Sequence, residues 1–381
     1  MSDSPREPVL YVGLMSGTSM DGIDAALVAL AERSCKVVAA YTTPYPEELR
    51  EALQFASRSP DTCGLDEYGR LDQWVGESFR DATLQLLRDA GVRPASVAAI
   101  GSHGQTLRHQ PRAARPFTLQ IGDPNIITAG TGITTVADFR RLDVALGGEG
   151  APLTPAFHHW LFATEDRHRV ILNLGGFGNI TVLRADQSDV FGFDTGPGNT
   201  LMDGWCRRQL GQSYDADGHW AASGKVDAEL LQSLLSDPYF SAAPPKSTGF
   251  EYFNDAWLDQ RLGNIGRDAA AVQATLCELT VRSVANAIAA HAPRTDEVLV
   301  CGGGSHNAFL VSKLREACAP AKVESTTRYG IAPDWIEAAA FAWLAACRLA
   351  GQAGNLPSVT GAQSAGVLGG IYAGRVSDRA G

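Results

Sequence analysis

The stretch "YVGLMSGTSMDGIDAALV", Tyr11–Val28, decides how the rest of the chain is read. An apolar run enters a turn of Gly, Ser and Thr, passes two aspartates, Asp21 and Asp24, and returns to an apolar run. Apolar runs bounded by a glycine-rich turn read as a β-hairpin. The turn from Gly17 through Thr18, Ser19, Met20, Asp21 and Gly22 to Ile23 and Asp24 is also a candidate anion cradle. Glycine lets backbone N–H groups converge without a Cβ in the way. The turn has no lysine, so it is not the GxxxxGK[ST] phosphate loop, and no GxGxxG turn opens a helix after the first strand. A phosphate here would need a metal and backbone dipoles. Mg²⁺ suits that task, because it keeps several waters and bridges phosphate oxygens to one or two carboxylates. Asp21 is the candidate metal-orienting carboxylate, although a "DG" pair also closes plain turns.

The layout then restarts. "RVILNLGGFGNITVL", Arg169–Leu183, is again strand, glycine turn, strand, with Gly175, Gly176 and Asn179 in the turn region. A third turn, "CGGGSHN", Cys301–Asn307, places Gly302, Gly303, Gly304 and Asn307 after an apolar run. One such turn is weak as a signal, whereas three in one chain point to an anion site. Between them, residues 66–90 and 269–291 have helical periodicity, and "DWIEAAAFAWLAAC" is a helix with small residues for close packing. "VAAIGSHGQT" reads as a strand emptying into a polar loop. Strands and helices alternate in two similar halves, which predicts two α/β domains around a cleft. The expected extents are 8–160 and 161–368, with helix 335–350 packing back on the first half and 369–381 a loose tail.

Composition narrows the function classes. The 381 residues are 45% apolar and 19% charged, enough for large cores and too apolar for disorder. The net charge of −10 and the lack of a Lys/Arg run argue against a nucleic-acid partner. No apolar run approaches the ~18 residues of a membrane helix, so no membrane partner is expected. Seven scattered cysteines without a CxxC pair read as free thiols in a reducing cytoplasm.

"VFGFDTGPGNTLMDGW", Val190–Trp205, sets Asp194 at the end of an apolar run. A carboxylate at a strand end suits a general base, and burial by Phe191 and Phe193 would raise its pKa. A turn or helix cap is the other reading, and Asp203 in the next helix reads as structural. His103 and Gln105 in "GSHGQTLRH", and Asp138, Arg140, Arg141 and Asp143 in "ADFRRLD", are polar clusters suited to substrate recognition. Glu337 lies in an apolar helix, where a carboxylate is costly unless paired.

"GLMSGTSMDGID" at 13–24, "GSHGQT" at 101–106, "ADFRRLDVALGGEGAPL" at 137–153, "NLGGFGN" at 173–179, "GFDTGPGN" at 192–199, "PKSTGFEYFN" at 245–254 and "VCGGGSHN" at 300–307 together resemble the anhydro-N-acetylmuramic acid kinases. The motifs run in family order over nearly the whole chain. The resemblance implies the sugar kinase/Hsc70/actin fold, two ribonuclease-H-like domains around an ATP cleft. It implies that the first turn holds the ATP phosphates, with the second facing it, and that 301–307 lies near the adenosine. The implied reaction uses ATP and Mg²⁺. Water opens 1,6-anhydro-N-acetylmuramic acid at C1 and O6 takes the γ-phosphate, during cell-wall turnover. Asp194, by matching "GFD", is then the base, and Arg141 and Glu337 match sugar-site segments. Two alternatives stay open: a sugar kinase of this fold acting on an intact hydroxyl, and a non-enzymatic ATP-dependent switch. The oligomeric state is open, a homodimer among the options.

Overall fold

A computed structural model of the chain describes residues 7–17, 20–60, 63–185, 190–263 and 266–374. The chain divides into two compact units: residues up to Leu161 together with those from Trp335 onward, and Phe162–Asp334. Twelve strands are described: β1 (Val9–Ser16), β2 (Gly22–Ala31), β3 (Ser34–Pro44), β4 (Val97–Gln110), β5 (Phe117–Ile121), β6 (Thr135–Ala137), β7 (Arg169–Leu174), β8 (Phe177–Leu183), β9 (Phe191–Pro197), β10 (Glu297–Cys301), β11 (Lys322–Ser325) and β12 (Gly370–Tyr372). The helices used below are α1 (Leu65–Asp89), α2 (Thr200–Leu210), α3 (Ala269–His291), α4 (Ala308–Ala317) and α5 (Ile336–Leu349).

The opening stretch is a hairpin. β1 and β2 pair antiparallel from Val9↔Leu30 to Met15↔Asp24, and β3 continues the meander on β2. β4 then lies parallel to β1, and β6 parallel to β4. The first sheet therefore runs β12-β6-β4-β1-β2-β3, with β5 on β4. The second runs β11-β10-β7-β8-β9. There β7, β8 and β9 form the antiparallel meander, and β10 and β11 add in parallel beyond β7. Strand for strand, β3-β2-β1-β4-β6 corresponds to β9-β8-β7-β10-β11. The duplication expected from the two glycine-turn hairpins is real.

Each unit is layered by ordinary helix chemistry. α1 buries Leu71, Val75, Phe79, Leu86 and Leu87 on one stripe against Leu14, Ile23 and Leu27 of the sheet. Asp66 and Glu67 suit its first turn and Arg88 its last, and Gly91 follows at φ +64. α3 starts at an Asp268 cap, whose carboxylate accepts from Ala271 N–H at 2.9 Å. Its Leu276, Val281 and Val284 pack in one cluster with Val170, Leu172 and Ile180 of the second sheet.

α5 covers the other face of the first sheet at backbone distance. A Cβ on Gly13 would lie 1.7 Å from Ala338 O, and one on Gly101 would lie 1.9 Å from Phe341 O. Two strand glycines and the alanine-rich face of α5 are what permit this approach.

Three features differ from the sequence reading. Residues 335–368, placed there in the second domain apart from the returning helix, group wholly with the first unit. The tail expected from 369 is a strand at Gly370–Tyr372, antiparallel to β6; residues 375–381 lie outside the described residues. "GSHGQT" is strand, not loop, because β1 on one side and β5 on the other take up the backbone hydrogen bonds of β4. Among the described residues no helix is long and apolar enough to cross a membrane.

Candidate functional site

The first-unit turn is pinned at both ends. Ser16 Oγ sits 2.7 Å from Gly22 O and 2.7 Å from Gln105 Oε1, and Gln105 Nε2 donates to Gly17 O at 3.1 Å. Gln105 is fully buried, so it braces the turn rather than offering a contact to a sugar. Met20, at φ 55, is buried in the core and its N–H donates to Gly17 O. Asp21 follows as an exposed carboxylate whose backbone oxygen accepts from Tyr45 N–H. Gly22 and Ile23 start β2, and Asp24 is its third residue, with Oδ1 accepting from Thr42 Oγ1 at 2.6 Å. Thr18 and Ser19, expected in the phosphate contact, lie outside the described residues.

A polar cluster lies beside this hairpin in the same unit. His103 is buried, its ring 4.7 Å from that of Phe341, and its Nε2 accepts from Arg140 Nε at 3.0 Å. Arg140 Nη1 donates to Gly150 O at 2.7 Å. Burial and the Arg140 charge hold the His103 imidazole well below its usual pKa, so it stays neutral and accepts. Burial lowers Arg140 to about 10, with Glu337 and Asp143 pulling the other way. Burial pushes the Glu337 carboxyl up, Arg140 draws it down, and Asp24 pushes it up again. His103 and Glu337 thus both interact with Arg140, one of the two adjacent arginines of the "ADFRRLD" cluster, whereas the family resemblance pointed to Arg141. Arg141 is exposed and sits 3.5 Å from Asp138, itself at φ 62. Asp143 is fully buried and accepts from Gly150 N, Asn355 Nδ2 and Thr360 Oγ1 at 2.6–2.7 Å. It fastens the 141–150 loop to the C-terminal segment.

In the second unit the β7–β8 turn feeds the start of α2. Asn199 N donates to Gly175 O at 2.9 Å, while Gly198 N and Thr200 N donate to Gly176 O at 2.9 and 3.0 Å. Thr200 Oγ1 donates to the same Gly176 oxygen. The turn's carbonyls are consumed, and among the described residues its two glycine N–H groups donate to no protein atom. Asn179, by contrast, pairs in register with Asp194 across β8 and β9.

The third turn borders a cavity of about 370 Å³. Gly303, Gly304, His306 and Asn307 form one wall, and Asn199, Met202 and Asp203 of the α2 region form another. A Cβ at Gly303 would meet nothing within 4 Å, so that backbone opens to the solvent side. Gly302, at φ 80, donates to Pro333 O. Asn307 caps α4, its Oδ1 accepting from Leu310 N–H at 2.9 Å. Asp203, read from sequence as structural, lines this cavity together with Asp215. Burial, opposed by Arg207 and reinforced by Asp215, raises its carboxyl to about 6. Helical position could have found it: Asp203 stands one turn after Asn199, on the side of α2 that faces the glycines.

Asp194 sits in β9 with its carboxyl half-buried. Oδ2 accepts from Thr248 N–H at 2.9 Å, and Oδ1 accepts no hydrogen bond among the described residues. Its backbone is clamped as well: N donates to Lys246 O at 3.1 Å and O accepts from Tyr239 Oη at 2.7 Å. Burial raises the carboxyl to about 6, the Thr248 N–H lowers it, and Glu251 raises it. The burial expected from Phe191 and Phe193 has another source. Strand alternation sends Phe193 into the core, and the 239–251 segment encloses the carboxyl instead.

Among the described residues, no three His, Cys, Asp or Glu side chains converge to hold a metal. Asp21 is an exposed carboxylate at the β1–β2 turn.

Residues 9–374 match the family described as anhydro-N-acetylmuramic acid kinase. A relative of that name from Xanthomonas axonopodis pv. citri is 54% identical over 97% of this chain and 98% of its own length. Another, from Coxiella burnetii, is 51% identical over 95% of this chain and 97% of its own. Among solved structures, component A of the Acidaminococcus fermentans (R)-2-hydroxyglutaryl-CoA dehydratase superposes with a TM-score of 0.48 at 9% identity, covering 88% of this chain and 96% of that one.

Proposed function

The chain belongs to the anhydro-N-acetylmuramic acid kinase family, and from that premise we propose that it opens 1,6-anhydro-N-acetylmuramic acid with water and phosphorylates O6. The observation that carries the hydrolytic half is Asp194: one carboxyl oxygen fixed by Thr248 N–H, the other without a donor among the described residues, and a pKa raised to about 6. Such a group is ionised at neutral pH yet basic enough to take a proton from water. Water oxygen bonds to C1 as its proton passes to Asp194, and the C1–O6 bond breaks. O6 then bonds to the γ-phosphorus, the bond to the β–γ bridging oxygen breaks, and ADP leaves. The sugar 6-phosphate enters amino-sugar recovery from the cell wall.

The remaining roles follow from chemistry already described. The free N–H groups of Gly175 and Gly176 and the open backbone at Gly303 suit phosphate oxygens, and the cavity beside Gly303 suits a nucleoside. In the first unit, the turn after Ser16 also suits phosphate oxygens, with Asp21 orienting hydrated Mg²⁺. That ion, when bound, neutralises phosphate charge in the transfer. The cluster of Arg140 and Glu337, oriented by His103, offers a charged donor and an acceptor for the hydroxyl, amide and carboxylate groups of an acidic amino sugar. Asp138 and Arg141 add an exposed pair at its border. We place the enzyme in the cytoplasm, where ATP is supplied and thiols stay reduced.

The test is turnover in ¹⁸O-labelled water with ATP, Mg²⁺ and the anhydro-sugar, reading the label at C1 by mass spectrometry. Label at C1 is expected. Phosphorylated product without label removes the hydrolytic step and leaves an ordinary sugar kinase.

A further inference from the structure

A second cavity, of about 290 Å³, lies in the second unit at the opposite end of β7 from the Gly175–Gly176 turn. Six strand residues separate the two ends, about 20 Å. Its lining is basic: Arg169 at the start of β7, Arg184 after β8, His168, and His291 and Arg294 at the end of α3.

These groups differ in how far they are already engaged. Arg169 is buried, donates to Glu297 Oε2 at 2.8 Å and to Phe162 O at 2.7 Å, and is spent. Arg167 takes the other Glu297 oxygen at 2.6 Å, so that carboxylate has two guanidiniums on it. Arg184 has no carboxylate partner among the described residues; its guanidinium lies 5.3 Å from the centre of the Phe191 ring. Arg294 is exposed and likewise has no acidic partner among them. His168 Nδ1 accepts from Ala185 N–H at 3.3 Å, which leaves Nε2 as the protonated nitrogen and a donor. The His291 ring is fixed edge-on against Phe193 at 5.1 Å. Asp296, at the same end, has Oδ2 accepting from the His168 backbone N–H, and Asp186 and Asp189 lie outside the described residues.

The cations also face the negative end of α3, which accounts for a basic residue near a helix C-terminus. That role needs no cavity, and it does not account for Arg184, which comes from a different element. Two guanidiniums without carboxylate partners among the described residues, around a small cavity in a chain of net charge −10, leave positive charge for an outside anion.

We propose that this cavity is a binding site for a small phosphate-bearing anion, clamped by Arg184 and Arg294 with His168 Nε2–H as a directional donor. The volume suits inorganic phosphate or a compact phosphate monoester and is small for a nucleotide. The site is independent of the kinase reading, since none of its residues belongs to the glycine turns or to the surroundings of Asp194.

Calorimetric titration of the full chain, saturated with ADP and held at constant ionic strength, tests it with inorganic phosphate and with glucose 6-phosphate as probes. Saturable one-to-one binding of at least one probe is expected. The double variant R184Q/R294Q should weaken it at least tenfold. Arg294→Gln alone, at an exposed position, should weaken it at least threefold with unchanged circular dichroism and melting temperature. Binding of phosphate alone identifies a free oxyanion as the ligand, and tighter binding of the sugar phosphate identifies an ester. Absence of saturable heat in the wild type, or equal affinity in folded R184Q/R294Q, overturns the proposal.

Discussion

The two units share a strand order but not the chemistry set on it. In the first, the sheet is closed at backbone distance by α5, through Gly13 and Gly101, and the polar groups nearby are bonded to one another. In the second, α3 packs through ordinary apolar side chains, and the polar groups are left with capacity to spare: Asp194 Oδ1, the glycine amides, and Asp203 beside a cavity. A duplicated frame therefore does not duplicate chemistry. The first copy gathers its polar side chains around Arg140, and the second carries Asp194 and Asp203, two carboxyls raised to about 6.

The largest effect belongs to Asp194→Asn, which is expected to lower kcat by about 10³-fold while nucleotide affinity stays within a few-fold. Residual turnover near wild type would return Asp194 to a structural role. Glycines in the two units should fail differently. Gly13→Ala drives a Cβ to 1.7 Å from Ala338 O and is expected to cost about 3 kcal/mol or more in urea unfolding. Gly303→Ala enters open space, so its stability should be unchanged while the KM for ATP rises severalfold; a stability loss there would remove the contrast. Asp143→Ala removes a fully buried carboxylate with three partners and is expected to cost about 3 kcal/mol; a loss below ~1 kcal/mol would show that the loop staple contributes little.

The smallest effect is a pH signature. kcat/KM should fall about tenfold per pH unit below about 6, as the Asp194 base takes up a proton. The stability sign is the reverse. With a folded pKa of about 6 against 3.8 for the free group, the native state binds this proton more tightly. The Asp194 contribution to stability therefore rises as pH falls from about 6 toward 4. In Asp194→Asn that rise should be missing from the pH dependence of the melting temperature. An unchanged slope would place the raised pKa elsewhere.

Much of this was readable in the sequence, and what was not has physical reasons. The three glycine turns and both hairpins announce themselves, because a turn needs residues that a strand avoids. "GSHGQT" misleads because its small polar residues suit a loop, yet strands on both sides claim its backbone. Arg140 and Arg141 are adjacent, and only the local path at the start of the 141–145 helix decides which one points to His103. Asp203 looks like any helix carboxylate until the glycine turn is set against it. The closeness of α5 to β1 and β4 left only a faint trace: two glycines where strand formers would be stronger.

α5 has a bearing on biosynthesis. The second unit is one continuous stretch and is complete once Asp334 has left the ribosome. The first unit is begun earlier and finished later, since its covering helix and β12, which pairs with β6, are still to be made. A nascent chain that has emerged as far as Asp334 holds a complete second unit joined to a sheet with a bare glycine face and an unpaired β6 edge. For this chain the usual order of synthesis is inverted: the part translated first is the part that matures last.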